Sequence, residues 1–285
     1  MPFNCENLPA PQLDARPFGA RPLSMLTDDG LYEQCGVRIA FTGRFGGVSG
    51  GAYSELNLGA HVGDALDDVM ENRRLLMEAL GADDMPLLVP NQVHGDVVEL
   101  VDSCTAPTLV RLQQRMAQGA DAVAVTCENV GALLCYADCT PVIIVSPLCS
   151  FAVVHAGWRG VVADIAVKSL ERLAAECHCN TSAEVKRFAS ACNVYIGPHI
   201  RSECFEVGGE VVAQFSDRFG VSCITDDRHV SMAEALRTDL IAAGVSADRI
   251  CDAGICTMCN PDAYYSYRAS GGTCGRHGAI AFRKG

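Results

Sequence analysis

The sequence predicts an α/β (α+β) chain, a single domain in which mixed β-sheets are sandwiched by helices. Three observations support this. Short apolar runs of strand length recur along the chain, with the densest group between Asp121 and Val154. Segments of helical periodicity are interspersed with them, but not in strict strand–helix alternation, which favours mixed over purely parallel sheets. No linker-like stretch divides the 285 residues, so residues 37–285 read as one domain and residues 1–36 as an irregular, Pro-rich lead-in.

Val37–Thr42 reads as a strand that runs into the loop Gly43–Gly51, rich enough in glycine to approach a ligand closely. Asp64 or Asp67 would cap a helix reaching Leu80, with Gly81 as its stop. Leu87–Val93 and Asp96–Val101 read as strands around the turn at His94-Gly95, and Thr108–Gln118 as a helix. Four strands follow: Asp121–Cys127, Gly131–Ala137, Pro141–Val145 and Phe151–Val154, the last two joined by a hairpin at Ser146–Ser150. Gly160–His178 is an amphipathic helix, Asn193–Gly197 a strand and Gly208–Phe219 a helix. Ser231 and Glu234 open a further helix as a capping box, which Gly244 ends. His277–Arg283 is the last strand.

The net charge is -12 and the pI about 5.0. Such a surface repels polyanions, so nucleic acid and anionic membranes are excluded as general partners, whereas a small anion could bind a local basic pocket. Residues 1–20 carry Asn4, Glu6, Asp14 and several prolines and no apolar core, so no signal peptide is expected. Without an export signal, the 16 cysteines read as reduced thiols. A cytoplasmic location follows; the choice between monomer and homodimer stays open.

Three residues share a local character. His94, Cys139 and His155 each end or follow an apolar run and have small or polar neighbours. Two imidazoles and a thiolate form a three-ligand zinc set, and an open fourth position would make it catalytic. Taken singly, each also reads as a hydrogen-bonded core histidine or a buried thiol. The hairpin would place Cys139 and His155 on neighbouring strands, but the sequence alone does not bring His94 to them. Arg44 and Ser49 in the glycine-rich loop, and Arg159 just before a helix, are candidates to grip phosphate; each arginine also reads as a surface ion pair. Trp158 reads first as core. Cys256 and Cys259 form a lone C-x-x-C without a second pair at zinc-ribbon distance, and read as structural, with a redox role second.

The segments Gln92–Gly95, Gly119–Ala122, Ala137–Val142 and His155–Gly160 resemble the YfiH-type laccase-domain family. So do Ile196–Pro198, Cys204–Gly208 and Tyr265–Arg268, and, earlier, Arg44–Ser49, Leu56–Gly59 and His61–Asp64. The resemblance implies a metal site at His94, Cys139 and His155, filled by Zn2+ with copper as the alternative. It implies phosphorolysis of purine nucleosides (adenosine, inosine, guanosine and methylthioadenosine), with inorganic phosphate as co-substrate, and adenosine deamination. It is also what chiefly singles out Arg268 as a substrate residue.

Deamination needs an activated water, which a three-ligand zinc supplies, and a carboxylate to carry its proton. Asp138, beside Cys139, is the candidate, with a strand-end cap or an orienting group as the equal alternative; Cys139 and His155 complete the catalytic set. Two other activities remain open. Copper-dependent polyphenol oxidation fits poorly, because the chain has only 7 histidines and no set for a multicopper cluster. An amide hydrolase editing peptidoglycan precursors would use the same metal.

Overall fold

A computed structural model describes residues 7–285. The elements in chain order are β1 (Asp14–Phe18), β2 (Leu23–Thr27), α1 (Asp29–Cys35), β3 (Val37–Thr42), α2 (Leu66–Ala79), β4 (Leu87–Leu88), β5 (Val98–Val101), α3 (Ala106–Met116), β6 (Ala122–Val125), β7 (Gly131–Tyr136), β8 (Thr140–Val145), β9 (Phe151–Ala156), α4 (Trp158–Val162), α5 (Ile165–Glu176), α6 (Ser182–Ser190), β10 (Asn193–Ile196), α7 (Gly209–Phe219), α8 (Met232–Ala242), β11 (Ile250–Asp252) and β12 (His277–Arg283). They form two six-stranded sheets, ordered β1-β2-β3-β12-β7-β4 and β11-β10-β8-β9-β6-β5. Both are mixed: the pairs β4/β7, β5/β6 and β10/β11 are parallel and the rest antiparallel.

The sheets lie face to face, with α2 outside one and α4–α8 outside the other while α1 and α3 add side chains to the core between them, and strand alternation shows why the apolar runs are continuous. In β9, Phe151 and Val153 enter the core between the sheets, while Ala152, Val154 and Ala156 enter the core under the outer helices. In β12, Ala279 and Ala281 face the inter-sheet core, and Ile280 and Phe282 face a third core with Leu76 and Met77 of α2. A strand covered on both faces keeps its polar side chains to its ends, as with His155 and His277. Each buried valine, leucine, isoleucine, methionine or phenylalanine here contributes about 1.5–3 kcal/mol, and each alanine less.

Several expectations are revised. Within the supposed lead-in, β1 and β2 extend the first sheet through β3, and Asp28 caps α1 by accepting from the Leu31 amide at 2.9 Å. Residues 1–6 of that lead-in lie outside the described residues. The strand expected over 87–93 shrinks to Leu87–Leu88. The single helix expected over 160–178 is broken in two, because Asp164 takes a left-handed conformation at φ 63°. Asp64 does not cap α2 through its side chain; it accepts from Ser49 and Asn57 instead. The sequence reading passed over α6, although Thr181 and Glu184 form a full capping box there, and over the short β11. Among the described residues no helix is long and apolar enough to cross a membrane.

Candidate metal centre

His155 is the penultimate residue of β9 and pairs with Pro141 of β8 across the antiparallel ladder. Cys139 immediately precedes β8, so the hairpin brings the two together as its topology requires. His94 arrives from the turn after β4, at φ 60°. The ligand atoms of His94, Cys139 and His155 all lie within 4.8 Å of one another.

What closes the triangle is Asp121, just before β6. Its buried carboxylate accepts from the backbone N–H groups of Val93, His94 and Gly95 at 3.2, 2.9 and 2.7 Å. It also meets His155 Nδ1 at 2.7 Å. Burial would raise the pKa of Asp121, but the His155 bond and the backbone donors hold it below its ordinary value. An ionised carboxylate only accepts, so Nδ1 of His155 carries the proton and Nε2 is left for a metal. Gln92 fastens the same turn to β7, exchanging two bonds of 2.8 Å with the Cys135 backbone. Asp121 lies within the segment Gly119–Ala122 without a role assignable from sequence; an aspartate opening an apolar run is the signal that marks it.

The electrostatics suit a soft cation. Burial pushes the Cys139 thiol up, but the His155 and His94 rings pull it down to about 6. Burial lowers the His155 pKa, and the Cys139 and Asp121 charges more than offset this, leaving it raised. Gly157 shapes the same spot: a Cβ there would sit 3.1 Å from His94 Cδ2 and 3.4 Å from Cys139 Sγ. Two imidazole nitrogens, a stabilised thiolate and a carboxylate behind one histidine fit a zinc or copper ion with one side open.

The trio opens on a cavity of about 480 Å3, lined also by His61, Gln92, Asp138, Phe205, Tyr267, Arg268 and Arg276. Burial, then Arg276 and Arg73, lower the His61 pKa. Arg268 lines this cavity, with its guanidinium donating to Glu206 O at 2.9 Å. Arg159 reaches a smaller adjoining space of about 230 Å3 with His94, Cys139 and Phe205. It lies exposed within the first turn of the short α4, with its guanidinium 4.3 Å from the Trp158 ring, rather than before a long helix. Trp158 is half-buried against the helix-side core. His61 and Arg276 were not singled out, because nothing local marks them as cavity residues.

Arg44 and Ser49 are not brought to the trio. The Arg44 guanidinium donates to Ser54 O at 3.0 and 2.7 Å and to Pro261 O at 2.7 Å, and lies 4.6 Å from the Tyr265 ring. Ser49 Oγ donates to Asp64 at 2.6 Å and accepts from Asn72. Gly46 and Gly47 of this loop serve the protein itself: a Cβ on Gly46 would meet Leu23 Cδ2 at 2.3 Å, and one on Gly47 would meet Glu55 O at 2.3 Å and Asn72 Oδ1 at 2.5 Å, whereas Gly50 and Gly51 have open space beside them. Asp138, at φ 88°, lines the cavity, but both its oxygens are engaged. Oδ1 accepts from Thr257 Oγ1 and Oδ2 from the Arg268 backbone N–H, each at 2.7 Å.

The family model described as multi-copper polyphenol oxidoreductase laccase matches residues 38–284. The chain is 34% identical over 254 residues to "Adenosine deaminase RL5" from an unknown prokaryotic organism, covering 86% of this chain and 94% of the relative. It is 34% identical over 262 residues to a purine nucleoside phosphorylase of Bacteroides thetaiotaomicron, covering 88% and 93%. The crystal structure of YlmD from Geobacillus stearothermophilus superposes with a TM-score of 0.79 at 29% identity, over 95% of this chain and 100% of that one.

Proposed function

Because the chain belongs to this laccase-domain family, we propose that it is a metal-dependent purine nucleoside phosphorylase that also deaminates adenosine. The observation that carries the reading is the juxtaposition of the His94, Cys139 and His155 donors with a cavity holding Arg268 and Arg276. Relatives named for both reactions support it. The chemistry a zinc or copper ion supplies at such donors is Lewis-acid polarisation at neutral pH.

The remaining work falls to side chains. Arg268 and Arg276, with neutral His61, would hold inorganic phosphate in an otherwise acidic protein. Phe205 and Tyr267 offer flat faces to a purine. Asp138 would position Arg268 through the backbone bond, and each of its oxygens, accepting one hydrogen bond, keeps a lone pair with which to take a proton. Asp121 would keep His155 in the tautomer that presents Nε2. We place the enzyme in the cytoplasm, where a reducing medium would keep a thiol such as Cys139 reduced.

The test is a product assay on protein of known metal content. Adenosine, inosine, guanosine and methylthioadenosine are incubated with and without phosphate and followed by chromatography. Phosphate-dependent release of base, with inosine formed from adenosine, is expected. No turnover of any of them by protein carrying one zinc or copper ion per chain would overturn the reading.

A further inference from the structure

A second set of sulfurs lies beside the cavity, and nothing in the proposed chemistry uses it. Cys204 and the pair Cys256 and Cys259 place their Sγ atoms within 4.8 Å of one another. The contact between Cys204 and Cys259 is 3.4 Å. Three thiolates around one zinc at about 2.3 Å would stand roughly 3.8 Å apart, so the cluster needs only sub-ångström adjustment. The Arg201 backbone N–H already donates to Cys256 Sγ at 3.4 Å, a bond that would stabilise a thiolate. Cys256 is buried, Cys204 half-buried and Cys259 exposed, which leaves a side for entry.

We propose that Cys204, Cys256 and Cys259 form a second metal site, a three-thiolate socket for a thiophilic cation, zinc or copper(I). Cys256 and Cys259 supply the two-ligand bend of a C-x-x-C, and the distant Cys204 supplies the partner that the spacing alone lacks. Burial and the neighbouring thiols push the Cys204 thiol up to about 12. The open fourth position is left to solvent.

The placement gives the site a consequence. Cys204 adjoins Phe205, which lines the cavity. Thr257, within the C-x-x-C, donates to Asp138 next to the metal-ligand candidate Cys139. The backbone of the same segment pairs with His199: Thr257 N donates to His199 O at 3.0 Å. An ion held by the three sulfurs would thus staple the 199–205 and 255–268 segments into one wall of the cavity. The inference stands on this geometry and is independent of the substrate assigned above.

The experiment uses the full chain, reduced, carrying Cys139→Ser so that the first site offers no thiolate. Titration with Co2+ reads thiolate-to-metal charge-transfer absorption, and metal analysis gives the stoichiometry. Charge-transfer bands saturating at one ion per chain are expected, with affinity falling at least tenfold in Cys259→Ser and in Cys204→Ser. The exposed Cys259 carries the test, since buried Cys256 variants are prone to misfold. Displacement of Co2+ by Zn2+ or by Cu+ supports the site in either case and assigns its ion. Absence of charge-transfer absorption, or bands unchanged in Cys259→Ser, would overturn the proposal. So would a protein that, prepared without reductant, carries a Cys204–Cys259 disulfide and takes up no ion after reduction.

Discussion

The Asp121 carboxylate holds Nδ1 of His155 at 2.7 Å while gripping the backbone amides of the turn that carries His94. One buried anion thus sets the tautomer of one candidate ligand and the position of another. Asp121→Asn keeps the shape but offers a single acceptor oxygen and no charge. Metal affinity, measured by competition with a chelator, should fall about 10–100-fold, with the far-ultraviolet circular dichroism unchanged. Wild-type affinity in this variant would refute the orienting role.

Arg44 and Arg268 should separate stability from substrate binding. Arg44 satisfies two backbone carbonyls and lies on the Tyr265 ring, far in role from the cavity. Arg44→Ala should cost about 1–3 kcal/mol of stability by leaving these groups unpaired, and should depress phosphorolysis and deamination alike. Arg268→Ala should instead raise the KM for phosphate at least tenfold while deamination of adenosine changes little. A phosphate-specific defect in Arg44→Ala, with none in Arg268→Ala, would restore the glycine-rich loop as the anion site.

These two arginines show where the sequence was legible. The strand runs from Gly131 to Val154 were readable because both sheet faces are covered, which leaves a continuous apolar signal. Cys139 and His155 followed from that, since a hairpin fixes its own geometry. Arg44 misled because a glycine-rich loop looks the same whether its glycines admit a ligand or, like Gly47, admit Glu55 and Asn72. His61, Arg276 and the partnership of Cys204 with Cys259 depend on chain segments brought together over long sequence distances, and no local pattern encodes them. The edge strand β1 was hidden by Pro17 and its charged residues Asp14 and Arg16, tolerable where one side needs no partner.

Acid stability should carry the mark of His277. Its ring is fully buried beside Tyr136 and Tyr264, and neither ring nitrogen has a well-formed partner among the described residues. Burial lowers its pKa to about 3, against an ordinary 6.5. Between those values the unfolded chain binds a proton that the folded chain refuses, so this contribution is present above about pH 6.5 and is lost as the pH falls toward 3. The slope is about 1.4 kcal/mol per pH unit. Denaturant titrations from pH 7 to 4 should show His277→Phe losing stability less steeply, by close to one proton. Parallel profiles for the two proteins would exclude His277 as the source.

Gly157 tests the shape of the metal centre without touching a ligand. Its φ of -69° is open to any residue, so Gly157→Ala carries no backbone strain. The added methyl group would sit 3.1 Å from the His94 ring and 3.4 Å from Cys139 Sγ. The first of these distances is tighter than an ordinary carbon contact, so the exposed His94 ring must shift to make room. Stability should change by no more than about 1 kcal/mol, because an exposed ring relaxes at little cost. Metal affinity and kcat should each fall about tenfold or more, since a ligand displaced by a few tenths of an ångström no longer meets the ion in its preferred geometry. Chelator competition and turnover, measured on the same preparation, check both. Full activity with normal metal content would mean that the trio tolerates crowding, and that His94 is not held by the geometry described.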